Sequence, residues 1–397
     1  MSTFLWVIVP YLCLATFVIG HVWRYRYDAF GWTTRSSQLY EARLLRLGSP
    51  LFHFGMLGVV GGHVIGLLVP RSWTEAIGVD DHLYHLVAVI GGLIAGAMAL
   101  VGMAILIYRR RTVGPVFSAT TVIDAPIVPV IIDLRNFDGS PRYFTRADGT
   151  QVRMIMDPTQ YVQPVLNSPI FQNARYGSSD KPTQFTDAVH RAQFYRTSDE
   201  DWHTMLRPSV KPARTMKLIR GTYAFSINPV TGVLNYVLVN EGAFNSLLWP
   251  PTPSDTASVI GAAENAGDIT TKSISTFLFP NTFLFQGTTA NCCILGYHSY
   301  DVEPGSAANG WKERHYVVNY SSWISPGIFG GGFEDITALS HELSETFSDP
   351  FVNNAVNPWL TPTAPQYGCT SDLETGDPVV GYGFKITMNG RTYHPED

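Results

Sequence analysis

Three long runs without Asp, Glu, Lys or Arg dominate the first 108 residues of this 397-residue chain. They cover residues 4–23, 47–70 and 82–108, and they contain 20, 24 and 27 residues. A helix that spans a bilayer needs about 20 mostly apolar residues, so each run is long enough to cross. The sequence therefore predicts three transmembrane helices that contact the lipid bilayer.

The charge distribution separates this segment from the rest of the chain. Residues 1–122 contain nine Arg and no Lys and carry a net charge of +4, whereas residues 123–397 carry −9. A protein that binds nucleic acid needs a clustered basic face, which the acidic second part does not offer. We therefore predict an all-α transmembrane domain over residues 1–122, a soluble α+β domain over residues 123–397, and no nucleic-acid partner.

The arginines set the predicted orientation in the membrane. Five Arg lie between the first and second runs and three more follow the third run, whereas the loop between the second and third runs has one Arg and three acidic residues. Because cytoplasmic loops carry the excess of basic residues, the amino terminus is predicted outside. Everything after residue 111 is then cytoplasmic, in a multi-pass protein of the inner or plasma membrane.

Two histidines, His53 and His63, lie within the second run. Ionisable residues inside a membrane are costly and are usually functional. Ten residues of helix separate the two rings by about 15 Å, so one metal ion cannot bind both. Two stacked haems can, each taking one axial histidine from this helix, and the surrounding glycines leave room for a porphyrin or another helix. The alternative is that both rings form hydrogen bonds with neighbouring helices.

Several motifs in residues 1–122 carry a family resemblance: GHVWRYRYD, TTRSSQLYE, GSPLFHFG, GGHVIG and YRRRTVGPVFSATT. With them, the segment resembles the gamma (cytochrome b) subunit of membrane-bound respiratory nitrate reductase. The resemblance implies five helices with two b-type haems, quinol oxidation near the outer haem, and electron transfer to an iron–sulfur beta subunit and a molybdenum alpha subunit. It assigns His53 and His63 as axial ligands. His85, or alternatively His82, would be the basic residue near the quinol.

The resemblance is expected to end near Val122, before the family's fourth and fifth helices. The fifth helix of the family supplies the two opposing axial histidines. Residues 123–134 are apolar but short and contain two Pro and two Asp, so they predict a soluble strand or linker. We therefore expect a truncated five-helix cytochrome b subunit that continues into a second protein, through a chimeric reading frame or a natural fusion.

Residues rich in β-forming side chains predict several strands in the second part. The runs at 222–227 and 233–239 flank a turn at 228–232 and predict a hairpin. Further strands are predicted at residues 277–285, 292–298 and 315–320.

One helix is predicted at residues 333–347, because glycines precede it, acidic residues occupy its first turn and Asp-Pro ends it. His341 and Glu345 are four residues apart and lie one above the other, as two metal ligands on a helix do. Glu342 lies between them and could act as general base for a metal-bound water. The alternative is an amphipathic helix whose polar residues face solvent.

The segment SHELSETFSDPFVNNAV, followed by LETGDP, gives residues 290–397 a second resemblance. They resemble secreted zincin-like proteins with an HExxE motif and the phosphate-induced, exordium-like proteins of plants. The resemblance implies a zinc ion held by His341, Glu345 and Glu374, with Asp377 or Asp349 behind these ligands. Because the set is rich in oxygen, manganese or calcium is an alternative to zinc.

Three other histidines of the second part, His298, His315 and His394, are expected to be structural. The function predicted first is that of a haem b-containing electron-transfer subunit that works with nitrate reductase alpha and beta subunits and quinol. The alternative function is a membrane-tethered, zinc-dependent metallohydrolase or peptidase that uses the HExxE helix.

Overall fold

The computed structural model describes residues 43–112, 120–178, 181–193, 203–307, 310–361, 365 and 368–397, together with eight single positions between 12 and 26. The chain divides into two compact units, one within residues 1–121 and the other within residues 122–397. The first predicted span, residues 4–23, lies mostly outside the described residues.

The first unit contains two long apolar helices, α1 (Arg43–Leu68) and α3 (Asp81–Thr112), with the short α2 (Arg71–Ala76) between them in sequence. Both long helices are long and apolar enough to cross a membrane, and only 6% and 17% of their most apolar windows are buried. A core helix of a soluble protein would bury these side chains, whereas lipid solvates them. The second and third predicted runs are thus confirmed as apolar helices.

Small residues bring α1 and α3 close together. A Cβ placed on Gly55 would lie 2.4 Å from the backbone nitrogen of Ala99, and one on Gly102 would lie 2.3 Å from that of Phe52. No side chain larger than hydrogen fits at either position without moving the facing backbone. Close approach at small residues is how helices associate in lipid.

The second unit is an α+β fold. Its strands are β1 (Thr120–Arg135), β2 (Tyr143–Thr145), β3 (Gln151–Arg153), β4 (Ile155–Met156), β5 (His203–Val210), β6 (Arg214–Ile219), β7 (Tyr223–Ile227), β8 (Leu234–Asn240), β9 (Ile274–Pro280), β10 (Thr282–Phe285), β11 (Cys292–Ile294), β12 (Gly296–Glu303), β13 (Arg314–Trp323), β14 (Ala355–Leu360), β15 (Cys369–Asp372), β16 (Ile386–Met388) and β17 (Arg391–Tyr393). Its helices are α4 (Thr159–Leu166), α5 (Phe185–Gln193), α6 (Glu241–Leu248), α7 (Val259–Asn265) and α8 (Thr337–Ser348), and a 3₁₀ turn covers Asp377–Val379.

Strand β1 lies at the centre of a mixed seven-stranded sheet. The path β12-β13-β9-β1-β4 forms its spine, and β5 and β6 also pair with β1. β1 is parallel to β6 and β9, and β9 is parallel to β13. Five apolar side chains of β1 are fully buried, at Ile127, Val128, Val130, Ile132 and Leu134. Of the two predictions for residues 123–134, strand or linker, the strand is correct.

A second sheet has the order β11-β10-β8-β7. Its β7–β8 hairpin confirms the predicted one, and the Asn228 side chain accepts hydrogen bonds from the backbone nitrogens of Val230 and Thr231 in the turn. The single strand predicted at 277–285 is wrong, because Asn281 interrupts it in a left-handed conformation with φ of 38°. The chain therefore passes from β9 in the first sheet to β10 in the second.

Helix α8 begins at Thr337, four residues later than predicted. Asp335 has φ of +47°, which a right-handed helix cannot include, so the predicted start at 333 is wrong. The apolar residues Ile336, Leu339 and Leu343 pack into the core. Every residue from 337 to 346 is buried, so the alternative of a helix with a solvated polar face is wrong.

Candidate haem and metal sites

His53 and His63 lie on exposed parts of α1. The Nδ1 atom of His53 is 2.7 Å from the carbonyl oxygen of Ser49, and that of His63 is 2.8 Å from the carbonyl oxygen of Val59. With Nδ1–H as the donor in each pair, the Nε2 lone pair of both rings is free to bind a metal ion. Histidines that ligate metals are commonly held by such a bond from the other ring nitrogen.

The surroundings of the two rings are compatible with a bulky cofactor. Within the described residues, both rings bond to groups of their own helix, which does not favour the alternative of bonds to a neighbouring helix. Within the described residues, and apart from the neighbouring backbone of α1, a Cβ on Gly61 or Gly62, close to His63, would meet no atom within 4 Å. The donor type, its orientation and the free space therefore fit an axial haem ligand. His82 and His85 both lie exposed in the first turns of α3.

A second candidate site lies at the buried helix α8. His341 Nε2 is 3.5 Å from Glu345 Oε2 and 3.2 Å from Asp377 Oδ1. His341 Nδ1 lies 2.9 Å from the carbonyl oxygen of Asp397, and with Nδ1–H as donor the Nε2 atom is left as a ligand. Gly376 lies against the ring, since a Cβ there would come within 2.7 Å of His341 Cε1. The structure thus brings a histidine and two carboxylates together.

A neighbouring group forms around His298 on β12. His298 Nδ1 is 3.4 Å from Glu342 Oε2 and 3.6 Å from Glu345 Oε2, and its Nε2 atom is 3.8 Å from Glu374 Oε2. The ring is buried, with 3% of the side chain exposed, and in the described part of the chain neither Nε2 nor Glu374 Oε2 has a hydrogen-bond partner. Buried polar atoms are usually hydrogen-bonded, so both atoms are candidates to contact a ligand.

Three contacts hold these groups in place. β12 pairs with β13 so that His298 lies opposite Asn319, and the Thr346 hydroxyl of α8 donates to the Asn319 side chain. The loop that carries Asp377 is tied to the same helix, because Glu345 Oε1 accepts hydrogen bonds from the backbone nitrogens of Gly376 and Asp377. Glu345 therefore keeps its second oxygen, Oε2, for both histidines.

The crowding of carboxylates changes the proton affinities in the cluster. Burial lowers the pKa of His298, but hydrogen bonds to Glu342 and Glu345 and the charges of Glu342 and Glu374 outweigh it and raise that pKa to about 10. Burial, together with the charge of Glu345, raises the pKa of Glu374 to about 9. Burial likewise raises the pKa of Glu342. Without another cation, burial favours the protonated carboxyl groups of Glu342 and Glu374.

The distances between the donor atoms fit a metal ion. Ligands about 2.0–2.1 Å from a tetrahedral zinc ion lie about 3.4 Å from one another. The contacts of His341 with Glu345 and Asp377, at 3.5 and 3.2 Å, are close to this value. Imidazole and carboxylate groups both bind zinc, and a set rich in carboxylates also suits manganese or calcium.

The cluster opens into a cavity of about 640 Å³. Its polar lining includes His341, Glu342, Glu374 and Asp377, and its apolar lining includes Phe329, Phe333, Ile294 and Leu295. This size and mixed lining are typical of small-molecule and substrate sites. The disulfide between Cys292 and Cys293 lies in the same wall.

The predicted site residues are not all placed as the sequence suggested. His341 and Glu345 are brought together, but the carboxylate grouped with them is Asp377, whereas Glu374 faces His298. Asp349 instead accepts backbone hydrogen bonds after α8. Sequence reasoning did not assign His298 to the site, because only the pairing of distant strands brings it there.

The other two histidines lie elsewhere. His394 Nδ1 is 2.8 Å from Asp335 Oδ2, and the ring of His315 stacks on that of Tyr300.

Comparison with known proteins bears on the amino-terminal part. Residues 2–166 match the sequence model of the nitrate reductase gamma subunit family. The predicted resemblance of residues 1–122 to the gamma subunit is confirmed, whereas this match does not reach residues 290–397 and gives no support to the zincin-like resemblance. The match extends beyond Val122, where it was expected to end, although the described residues 120–166 form strands and the short helix α4 rather than a further apolar span.

Three relatives illustrate the resemblance. A nitrate reductase-like protein NarX of Mycobacterium tuberculosis is 56% identical over 132 residues, which are 33% of this chain and 20% of that protein. The nitrate reductase gamma chain of Bacillus subtilis is 50% identical over 106 residues, 27% of this chain and 48% of that protein. The respiratory nitrate reductase 2 gamma chain of Escherichia coli is 34% identical over 132 residues, 33% of this chain and 58% of that protein. The chain thus spans about one fifth to three fifths of the length of these relatives.

Proposed function

We propose that the amino-terminal part is a haem b-containing membrane segment that transfers electrons from quinol to nitrate reductase alpha and beta subunits. In this proposal His53 and His63 bind haem, and His85, or alternatively His82, lies near the quinol. The proposed topology has the amino terminus outside and residues 123–397 in the cytoplasm, because the arginine-rich loops are then inside. When bound, haem supplies one-electron redox chemistry.

The observation that carries this proposal is the shared orientation of the two histidines. Both lie in a segment that matches the gamma subunit family, and both direct Nδ1 towards a backbone carbonyl of α1. A ring fixed in this way holds Nε2 ready for a metal without rearrangement. Rings that only packed in the membrane would require neither this orientation nor the free surface beside them.

The test is a dithionite-reduced minus oxidised visible spectrum of the detergent-solubilised full-length protein. We expect a b-type haem signal that His53→Ala and His63→Ala each reduce by about half or more, because each removes an axial ligand. The matched control is Val64→Ala, an exposed apolar residue of the same helix, which should leave the signal unchanged. Absence of haem from the wild-type protein, or equal haem in all four proteins, would reject the assignment.

The cluster at α8 supports a second function, a metal-dependent hydrolase or peptidase. Its specific observation is the convergence of His341, Glu345 and Asp377 at ligand distances beside a cavity. When bound, a zinc ion lowers the pKa of water and polarises a carbonyl group. The apolar lining of the cavity would bind the side chains of a peptide-like substrate, and Glu342 lies within the same wall.

For this second function we expect Glu342→Gln to lower hydrolysis of a peptide library at least 100-fold, because the variant cannot accept a proton from water. The assay uses the full-length protein in detergent, with and without a chelator. Thr370→Ser, also in the cavity wall, is the control and should keep its activity. Activity that persists after chelation, or in Glu342→Gln, would contradict the hydrolase proposal.

A further inference from the structure

We propose that the buried cluster binds two divalent metal ions, bridged by Glu345. One ion would take His341, Asp377 and Glu345, and the other His298, Glu342 and Glu345. The inference rests on the metal-binding part of the second proposed function, and not on hydrolysis.

The first argument is the grouping of the donor atoms. They form two trios, and within each trio the atoms lie within 4.8 Å of one another. The trios share only Glu345, whose Oε2 atom is 3.5 Å from His341 Nε2 and 3.6 Å from His298 Nδ1. A carboxylate between two metal ions about 3.5–4 Å apart is the usual arrangement of a two-metal site.

The second argument is charge. Four carboxylates meet here, those of Glu342, Glu345, Glu374 and Asp377, and their side chains are between 3% and 32% exposed. In the part of the chain that the structure describes, their ion pairs within 4 Å involve histidine alone, and the cavity wall contains no Lys or Arg. One divalent ion would balance two of these four negative charges and two ions would balance all four, while Glu396, which lines the same cavity, adds further negative charge.

The third argument is the ring of His298. Its Nδ1 atom faces the two carboxylates of the second trio, whereas its unpartnered Nε2 atom points towards Glu374. A histidine that ligates a metal usually directs its other ring nitrogen to a carboxylate or a carbonyl. Glu374 would therefore orient His298 rather than bind the metal, just as the Asp397 carbonyl orients His341.

The proposal changes the role of Glu342. As the general base of a single-metal site, Glu342 would stay free of the ion, and Glu342→Gln would keep all of its metal. As a ligand of the second ion, Glu342 is needed for metal content, and Glu342→Gln is expected to bind one ion instead of two. The same variant thus separates the two readings of the cluster.

The experiment counts metal ions in the full-length protein in detergent. The protein is stripped with a chelator, titrated separately with Zn²⁺ and Mn²⁺, dialysed, and analysed for zinc or manganese apart from haem iron. We expect two ions per chain in the wild type, one in His298→Asn and one in Asp377→Asn. Glu345→Gln should weaken binding of both ions at least tenfold. His315→Asn, a histidine of the adjacent strand β13 outside the cluster, should keep two.

A second measurement on the wild type does not depend on variants that fold. Two Mn²⁺ ions that share a carboxylate are magnetically coupled, so electron paramagnetic resonance should show a coupled pair rather than isolated ions. One ion per chain, or isolated Mn²⁺ at full occupancy, would overturn the proposal. Two coupled ions without peptide hydrolysis would support it and reject the hydrolase, whereas hydrolysis with one ion would do the reverse.

Discussion

Gly55→Leu is expected to separate the two long apolar helices of the first unit. The Cβ of any larger residue would lie 2.4 Å from the Ala99 backbone nitrogen and 2.9 Å from the Ala95 carbonyl oxygen. Because these are backbone atoms, no rotamer change relieves the clash. Overpacking of a fitted interface costs about 1–3 kcal/mol, and a clash with backbone is at the upper end of that range or above it. In lipid, no hydrophobic force opposes the separation.

A cysteine pair across the interface measures this effect. A Cβ on Gly58 would lie 2.9 Å from Ala95 Cβ, closer than the Cβ separation of about 3.5–4.5 Å in a disulfide, so a small outward shift brings cysteines at these two positions to bonding distance. When residue 55 is glycine, oxidation should form the disulfide, so that two fewer thiols per chain react with an alkylating reagent. When residue 55 is leucine, oxidation should leave the number of reactive thiols unchanged. Gly61→Leu is the matched control, since its Cβ meets no atom within 4 Å. Equal crosslinking with Leu at either position would show that the helices do not pack at Gly55.

The two described apolar helices were predictable from the sequence to within a few residues. Run length and lack of charge identified them, because lipid requires a continuous apolar helix. Their ends were less accurate. The predicted run at 47–70 corresponds to the observed helix Arg43–Leu68, and the predicted run at 82–108 corresponds to the observed helix Asp81–Thr112. Counting only uncharged residues omits flanking arginines, whose long side chains let a helix continue into the membrane interface.

The candidate metal site was predictable only where its geometry is local. His341 and Glu345 share a helix, so their spacing in sequence fixes their spacing in space. His298 and Asp377 reach the cluster through the pairing of β12 with β13 and through hydrogen bonds from a loop to Glu345. Such contacts depend on tertiary packing and leave no periodic signal in the sequence. The predicted third ligand was therefore Glu374, and neither His298 nor Asp377 was predicted as a ligand.

Asp335→Ala is expected to destabilise the second unit more than the other single substitutions in it that we consider. Asp335 lies two residues before the first residue of α8 and is 3% exposed. One carboxylate oxygen accepts hydrogen bonds from the backbone nitrogens of Ile336 and His394, and the other accepts one from His394 Nδ1. Alanine would leave three buried donors unpaired and would also occupy a left-handed conformation, with φ of +47°. Together these effects cost about 3–5 kcal/mol.

Thermal unfolding of the full-length protein in detergent checks this expectation. For a domain of this size the loss corresponds to a midpoint roughly 10 °C lower. The midpoint of Asp335→Asn should lie between those of the wild type and Asp335→Ala, because asparagine tolerates the left-handed conformation and keeps one acceptor oxygen. Asp372→Ala, an exposed aspartate of the β15 strand, is the control and should change stability by no more than about 0.5 kcal/mol. Because His341 lies six residues after Asp335, the Asp335→Ala protein should also bind less metal than the wild type. A midpoint for Asp335→Ala equal to that of Asp372→Ala would show that α8 does not depend on this carboxylate.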